Sequence, residues 1–171
     1  MTAPANTSKD PFSLFEAHLW GVLFSFAPFA ALVKPNNTIN LTGPNDQPFK
    51  ASMVGADTPE VLLLPNGGTV INRTSSGRCW VQKYALGLVT EELRVNTPDA
   101  LNPLKWATFR ALTLAEREGR LKGFPTVISV DFLNYSESMA DPSPIERKVR
   151  GWKSVIDVDA TFSFSYAELV A

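Results

Sequence analysis

The sequence has a single cysteine and a single histidine, which limits the disulfides, active sites and metal sites that the chain can form. Cys79 is the only cysteine among the 171 residues, so no disulfide can form within one chain. One cysteine in an apolar segment is more often a small buried hydrophobic residue than a nucleophile. His18, the only histidine, lies far from it in sequence and has no other ligand at metal-site spacing. We therefore predict no catalytic residue, no cofactor and no metal.

The chain also lacks an excess of positive charge. Lysine and arginine total 16 and aspartate and glutamate total 17, which gives a net charge of -1. Surfaces that bind nucleic acid are strongly basic, so the composition predicts no direct recognition of a nucleic-acid sequence. The glycine-containing segment 65–68 lacks the Gly-Lys-Ser/Thr ending of a phosphate-binding loop. We interpret it as a bulge or turn in a strand.

No hydrophobic run is long and continuous enough to cross a membrane. The apolar stretch 19–33 is interrupted by Gly21, Ser25 and Pro28, and a membrane helix needs about 20 apolar residues. The N-terminal segment has no basic region followed by an apolar region, so no signal peptide is expected. The sequence predicts a soluble protein that is made inside the cell and does not bind membranes.

The most informative segment is RGWKSVIDVDATFSFSY, residues 150–166. Successive side chains alternate between the two faces of a strand. Even-numbered positions here are mostly apolar and odd-numbered positions are mostly polar, which predicts a long strand with one buried and one solvated face. An antiparallel sheet that is covered on one side only has this pattern.

The remaining elements predict an α+β fold. Asp10 followed by Pro11, with Ser13 and Glu16 as a second capping pair, predicts a helix that Pro28 ends or kinks. Asn102 followed by Pro103 predicts the start of a second helix, whose apolar stripe includes Leu114 and is widened by Trp106. Strands are predicted at 38–41, 60–64, 69–74, 78–90 and 126–135, with a turn at 75–77 and a loop at 136–149.

This order predicts a mainly antiparallel sheet with two amphipathic helices packed on one face. We expect residues 1–10 to form a flexible N-terminal arm and residues 11–171 to form a single domain. The segment 34–59 is longer than most connections, so we expect it to make contacts or to cover a surface.

Two sets of charged residues could mediate contacts with a partner. Arg73 and Arg78 flank the predicted turn, where they could bind a phosphate or a carboxylate, although solvated charges are the simpler interpretation. Asp157 and Asp159 share the polar face of the last strand, and Asp131 could join them from a neighbouring strand. A solvated or subunit-facing acidic stripe is favoured over an acid–base pair, because acid–base chemistry needs burial of one carboxyl group.

A basic cluster at the start of the last strand complements this acidic stripe. It comprises Arg147, Lys148, Arg150 and Lys153. Opposite charges on two surfaces of one nearly neutral chain suit head-to-tail self-association, in which one surface meets a different surface of the next copy. A solvated charge run remains the alternative.

The chain resembles the tail-terminator, or tail-completion, proteins of long-tailed bacteriophages and related prophage particles. The resemblance covers residues 11–168. It depends on FEAHLWGVLFSFAPFAALVKPNNTINL, YALGLVTEEL, NPLKWATFRALTLA and the closing RGWKSVIDVDATFSFSY. It implies a small α+β protein with an N-terminal helix, a hairpin, a second helix and two further long strands.

The resemblance also implies a role without catalysis. Such proteins form a homohexameric ring that caps the head-proximal end of the tail tube, ends polymerisation of the major tail tube protein and meets the head–tail connector or head-closure protein. The expected location is the tail or neck of the virion, after assembly in the cytoplasm of the bacterial host. Three alternatives stay open: another neck or tail protein, a small-molecule-binding α+β domain, and an adaptor that adds a strand from its partner.

Overall fold

We describe the fold from a computed structural model of the chain. The structure describes residues 10–34, 38–40, 59–73, 76–92, 100–140 and 150–170. The predicted arm lies outside these residues except for Asp10, and so does most of segment 34–59. The helices are α1 (Pro11–Ser25), α2 (Ala27–Leu32), α3 (Leu101–Arg117) and α4 (Tyr166–Val170). The strands are β1 (Thr38–Asn40), β2 (Glu60–Arg73), β3 (Gly77–Glu92), β4 (Val127–Ala140) and β5 (Arg150–Ser165).

The five strands form one sheet in the order β1-β2-β3-β5-β4. The short β1 pairs parallel with β2, and every other pairing is antiparallel. Helices α1, α2 and α3 contact one another, and their buried side chains join those of the sheet in one core. The predicted α+β fold, with a mainly antiparallel sheet and helices on one face, is confirmed.

Strand β5 confirms the predicted alternation. Its even-numbered side chains, such as Ile156, Val158 and Phe162, are fully buried against the helices. The odd-numbered side chains of residues 155–163 are half-buried or, at Thr161, buried, so the opposite face is less solvated than expected. The strand ends at Ser165 because a capping box starts helix α4 there, which the alternating pattern did not predict. The Ser165 backbone N–H and hydroxyl both donate to the Glu168 carboxylate, at 2.7 and 2.8 Å.

The start of α1 confirms one predicted cap and contradicts the other. Asp10 is the N-cap residue, and its carboxylate accepts a hydrogen bond from the Ser13 backbone N–H at 2.9 Å. The Ser13 hydroxyl also donates to Asp10, at 2.7 Å, so Ser13 does not cap the helix. Glu16 is buried with 5% of its surface exposed. The predicted Ser13–Glu16 pair was therefore wrong, because Asp10 occupies the capping position first.

The helix boundaries differ slightly from the prediction. Helix α1 ends at Ser25, and Pro28 lies in the first turn of α2, which anchors the buried Phe29 in the core. Helix α3 begins at Leu101 after Ala100, without a side-chain cap, so the predicted Asn102 cap was wrong. Helix α3 ends at Arg117, and Gly119 closes it with a positive φ of 70° and an N–H that donates to Glu116 O.

Two strands are longer than their sequence patterns indicated. The two predicted segments 60–64 and 69–74 belong to one strand, β2, whose register shifts between Pro65 and Gly68. This is the predicted bulge. Strand β4 continues to Ala140, so residues 136–140 are strand and not loop. Residues 141–149 and the turn residues 74–75 lie outside the described residues.

The aromatic residues mostly form the core. Phe15 packs on Tyr84 and Phe162, with ring centroids 5.6 and 5.7 Å apart. The Phe12 and Phe162 rings lie 4.9 Å apart. These contacts fix α1 across β3 and β5, because each aromatic pair adds about 0.5–1.5 kcal/mol beyond the area that it buries.

Candidate assembly surfaces

The face of the sheet opposite the helices holds the predicted acidic residues. Asp159 of β5 lies between Asp131 of β4 and Lys83 of β3 in the register of the sheet. Asp157 lies next to Asn134 of β4. Asp131 is exposed, whereas Asp157 and Asp159 are half-buried and line a concavity of about 150 Å³. The structure therefore brings the three carboxylates to one face, as predicted, but two of them are not freely solvated.

Lys83 was missed by the sequence analysis. It lies directly across from Asp159 and lines the same concavity. Directly opposed side chains on neighbouring strands lie about 5 Å apart at their Cβ atoms, so opposite charges there attract each other. The position of Lys83 in the alternating pattern of β3 could have predicted that its side chain lies on this face of the sheet. The pairing with Asp159 depends on the register between strands, which one sequence does not reveal.

The two predicted sets of basic residues lie towards opposite ends of the sheet where the structure describes them. Arg73 and Arg78 are paired across the β2–β3 hairpin, whereas Arg150 pairs with Glu92 at the other end of β3. Strand β3 has 16 residues, and at about 3.3 Å per residue its ends lie roughly 50 Å apart. Lys153 pairs with Val89, near the Arg150 end. Arg147 and Lys148 lie outside the described residues.

Arg78 is not a simple solvated charge. Its side chain is half-buried, and its Nε is enclosed without a hydrogen-bond partner within the described part of the chain. A buried N–H group that lacks an acceptor costs about 1–3 kcal/mol, and more when the group is charged.

The outer surface of α3 carries a groove. Two of the residues that line it, Trp106 and Leu114, were predicted from the sequence to be buried. Trp106 is 64% exposed and Leu114 is 37% exposed, although both were predicted to extend the buried stripe. The residues that α3 actually buries include Leu104, Ala107 and Ala111. We call the concavity of about 290 Å³ the α3 groove; it is lined by Phe26, Trp106, Phe109, Arg110, Thr113, Leu114 and Arg117.

The second half of β2 projects from the core. Val61, Leu62 and Leu63 are buried, whereas every residue from 65 to 71 is exposed. We call residues 65–71 the β2 arm. Its Val70 and Ile71 are 40% and 55% exposed. On the outer side of β2, strand β1 pairs only with residues 61–63, and no other described strand pairs with the arm there.

The single histidine joins two segments of the fold and lines a concavity of about 570 Å³ together with Arg120 and Lys122. His18 Nε2 donates to the carbonyl oxygen of Arg120 at 2.7 Å, and its ring contacts the Phe124 ring edge-on. His18 therefore links α1 to the segment after α3. Cys79 is half-buried. Within the described ranges, no group of three or more His, Cys, Asp or Glu residues could hold a metal ion.

Comparisons with known proteins leave the family open. The chain matches no protein-family model, and no curated protein matches it significantly.

None of the helices in the described part of the chain is both long and apolar enough to span a membrane.

Proposed function

We propose that this protein is a structural assembly protein that forms a closed ring of identical copies. The observation that carries the proposal is the β2 arm, a strand segment with both faces exposed and with apolar side chains at Val70 and Ile71. Thr69 and Val70, which pair with Val81 and Trp80, point to opposite faces of the sheet, and both are exposed. Within the described part of the chain, no helix covers either face of the arm, and a neighbouring copy would cover it.

The relative lengths of the elements support this proposal. Strands β3 and β5 have 16 residues each, and β2 and β4 have 14. Such strands extend over roughly 45–50 Å. Helix α3 has 17 residues and covers only about 25 Å. Residues 65–71 of β2 and 134–137 of β4 are exposed, so these parts of the strands are available for contacts between subunits.

The resemblance to tail-terminator proteins suggests where in a virion the proposed ring would lie. The order implied by the resemblance, helix, hairpin, helix and two long strands, matches the order of the described elements. We propose a homohexameric ring at the head-proximal end of a bacteriophage tail tube, in the neck of the virion. One ring face would bind the last ring of the major tail tube protein, and the other would meet the head–tail connector or head-closure protein.

The mechanism in this proposal is steric and requires no catalysis or cofactor. A terminator ends tube growth when one face resembles the stacking surface of a tube ring and the other does not accept another ring. Unlike charges on different parts of the sheet suit such directional contacts: the carboxylates of Asp157 and Asp159 lie midway along β5, and Arg78 lies at the hairpin end. Complementary charges set orientation and partner choice more than they set affinity.

The first test is the mass of the protein in solution, measured by size-exclusion chromatography with light scattering and followed by negative-stain imaging. The proposal predicts rings of the wild-type chain, alone or on tubes of the major tail tube protein. Ile71→Asp should reduce ring formation and leave the folded monomer intact, because Ile71 is exposed. Asn102→Asp adds the same charge at another exposed position and is the matched control.

A wild-type chain that stays monomeric alone and in the presence of tube protein would overturn the proposal. Of the alternatives that would then remain, the structure favours an adaptor that adds a strand from its partner. The outer edge of β4 favours it, because no described strand pairs there and the strand has 14 residues. That candidate predicts a monomer that binds extended peptides.

A further inference from the structure

The α3 groove combines an apolar floor with a cationic rim. Trp106 and Leu114 supply exposed apolar surface, and the ring of Phe26 adds to it. Arg110 and Arg117 lie two helical turns apart on the same face of α3, and the Arg110 guanidinium lies 5.3 Å from the centre of the Phe26 ring. Tryptophan and arginine are the residues that contribute most often to binding hot spots. The groove therefore suits a short apolar segment that carries a negative charge.

Helix α4 has the complementary composition. Tyr166 and Leu169 are 37% and 43% exposed. They are three residues apart, so they share one face of the helix. Glu168 is exposed beside them and is held by the capping box with Ser165. These hydrogen bonds lower the pKa of Glu168 and hold its carboxylate beside the exposed face of α4.

We infer that α4 of one copy docks into the α3 groove of the next copy. In this contact Tyr166 and Leu169 cover Trp106 and Leu114, and Glu168 meets Arg110 or Arg117. The two surfaces are different patches of the same chain, so the contact is head-to-tail and can propagate around a ring.

The inference deepens the proposed function and rests on it, because it names one of the contacts through which copies associate. Helix α4 does not occupy the groove of its own chain, because Tyr166 and Leu169 are exposed and no α4 residue lines the groove. Helix α4 begins at the hairpin end of the sheet, where the Tyr166 N–H donates to the Ser76 carbonyl at 2.9 Å. The carboxylate and the two guanidinium groups also attract each other before contact, which orients the incoming copy.

Cysteine cross-linking between two differently labelled chains tests the contact. Both chains carry Cys79→Ser, so that the only thiols are the introduced ones. One chain carries Leu169→Cys on α4 and the other carries Thr113→Cys in the α3 groove. Mixing under oxidising conditions should give a covalent dimer. The control partner, Asn102→Cys, is exposed on the same helix outside the groove and should not cross-link.

A second measurement gives the strength of the contact. Trp106→Ala should raise the dissociation constant for self-association by about 30-fold or more, the effect of removing a hot-spot residue. Asn102→Ala should leave it unchanged. Trp106 is exposed, so its loss does not disturb the core.

The outcomes separate this inference from the proposed function. Rings that form normally in Trp106→Ala, together with no specific cross-link between positions 169 and 113, would overturn the docking of α4 and leave ring formation standing. A wild-type chain that never associates would overturn both. Equal cross-linking of Leu169→Cys to positions 113 and 102 would also contradict the docking, since it would show unspecific collision.

Discussion

Two glycines with the same backbone conformation provide a test of how α1 is held to the rest of the protein. Gly119 and Gly123 have positive φ angles of 70° and 73°. An added Cβ at Gly119 would have no heavy atom within 4 Å, whereas at Gly123 it would lie 2.5 Å from His18 Cδ2. Gly119→Ala therefore introduces backbone strain alone, and Gly123→Ala introduces the same strain together with a clash against the His18 ring.

The expected magnitudes follow from these contacts. A left-handed conformation costs a residue with a side chain about 1–2 kcal/mol, which is the expected loss for Gly119→Ala. At Gly123 the His18 ring must also move, which breaks its 2.7 Å hydrogen bond to Arg120 O and disturbs its edge contact with Phe124. These losses add about 1–2 kcal/mol. Gly123→Ala should therefore destabilise the protein by about 2–4 kcal/mol.

Urea unfolding, followed by circular dichroism, measures these differences. The decisive comparison is a double-mutant cycle, because removal of the ring should remove the clash. In a His18→Ala background, Gly123→Ala and Gly119→Ala should cost the same within about 0.5 kcal/mol. Equal costs in the wild-type background, or an excess at Gly123 that persists without His18, would refute the reasoning.

Two further predictions concern buried polar groups. The Tyr84 hydroxyl is buried without a hydrogen-bond partner within the described residues, so Tyr84→Phe should raise the free energy of unfolding by about 1 kcal/mol. Tyr135→Phe, at an exposed tyrosine, is the control; a loss of stability in Tyr84→Phe would contradict the assignment. Burial, assisted by Asp10, raises the pKa of Glu16. Its contribution to stability is thus complete below the unfolded-state pKa and falls as pH rises through the folded-state value. Glu16→Gln should flatten this fall in pH-dependent unfolding, with the exposed Glu116→Gln as control; an unchanged pH profile would contradict the prediction.

The fold was predictable from the sequence where one face of an element is buried. The alternation in β5 and the Asp10 cap of α1 depend only on neighbouring residues, so local patterns were sufficient. The exposure of Trp106 was not predictable in this way. The apolar stripe of α3 in the sequence is wide enough to include Trp106. Which part of this stripe is buried depends on how α3 packs against the sheet.

The candidate site was harder to predict because it depends on register. Asp131 and Asp159 were expected on one face of the sheet, because alternate residues of a strand share a face and the apolar residues mark the buried one. The opposition of Lys83 to Asp159, and the distance between Arg78 and Arg150, follow from which residues of β3 and β5 pair. The pairing depends on the hairpins and bulges of the whole sheet, which no single segment specifies.

The exposed apolar side chains bear on how the proposed ring would be built. A two-fold dimer needs only one self-complementary patch, whereas a ring needs two different patches that fit each other. Exposed apolar residues occur on at least three separate elements here: Trp106 on α3, Ile71 on the β2 arm and Leu169 on α4. Covering only one of them in a dimer would leave the others in water. In the ring that we propose, head-to-tail contacts would cover different elements of each copy at once.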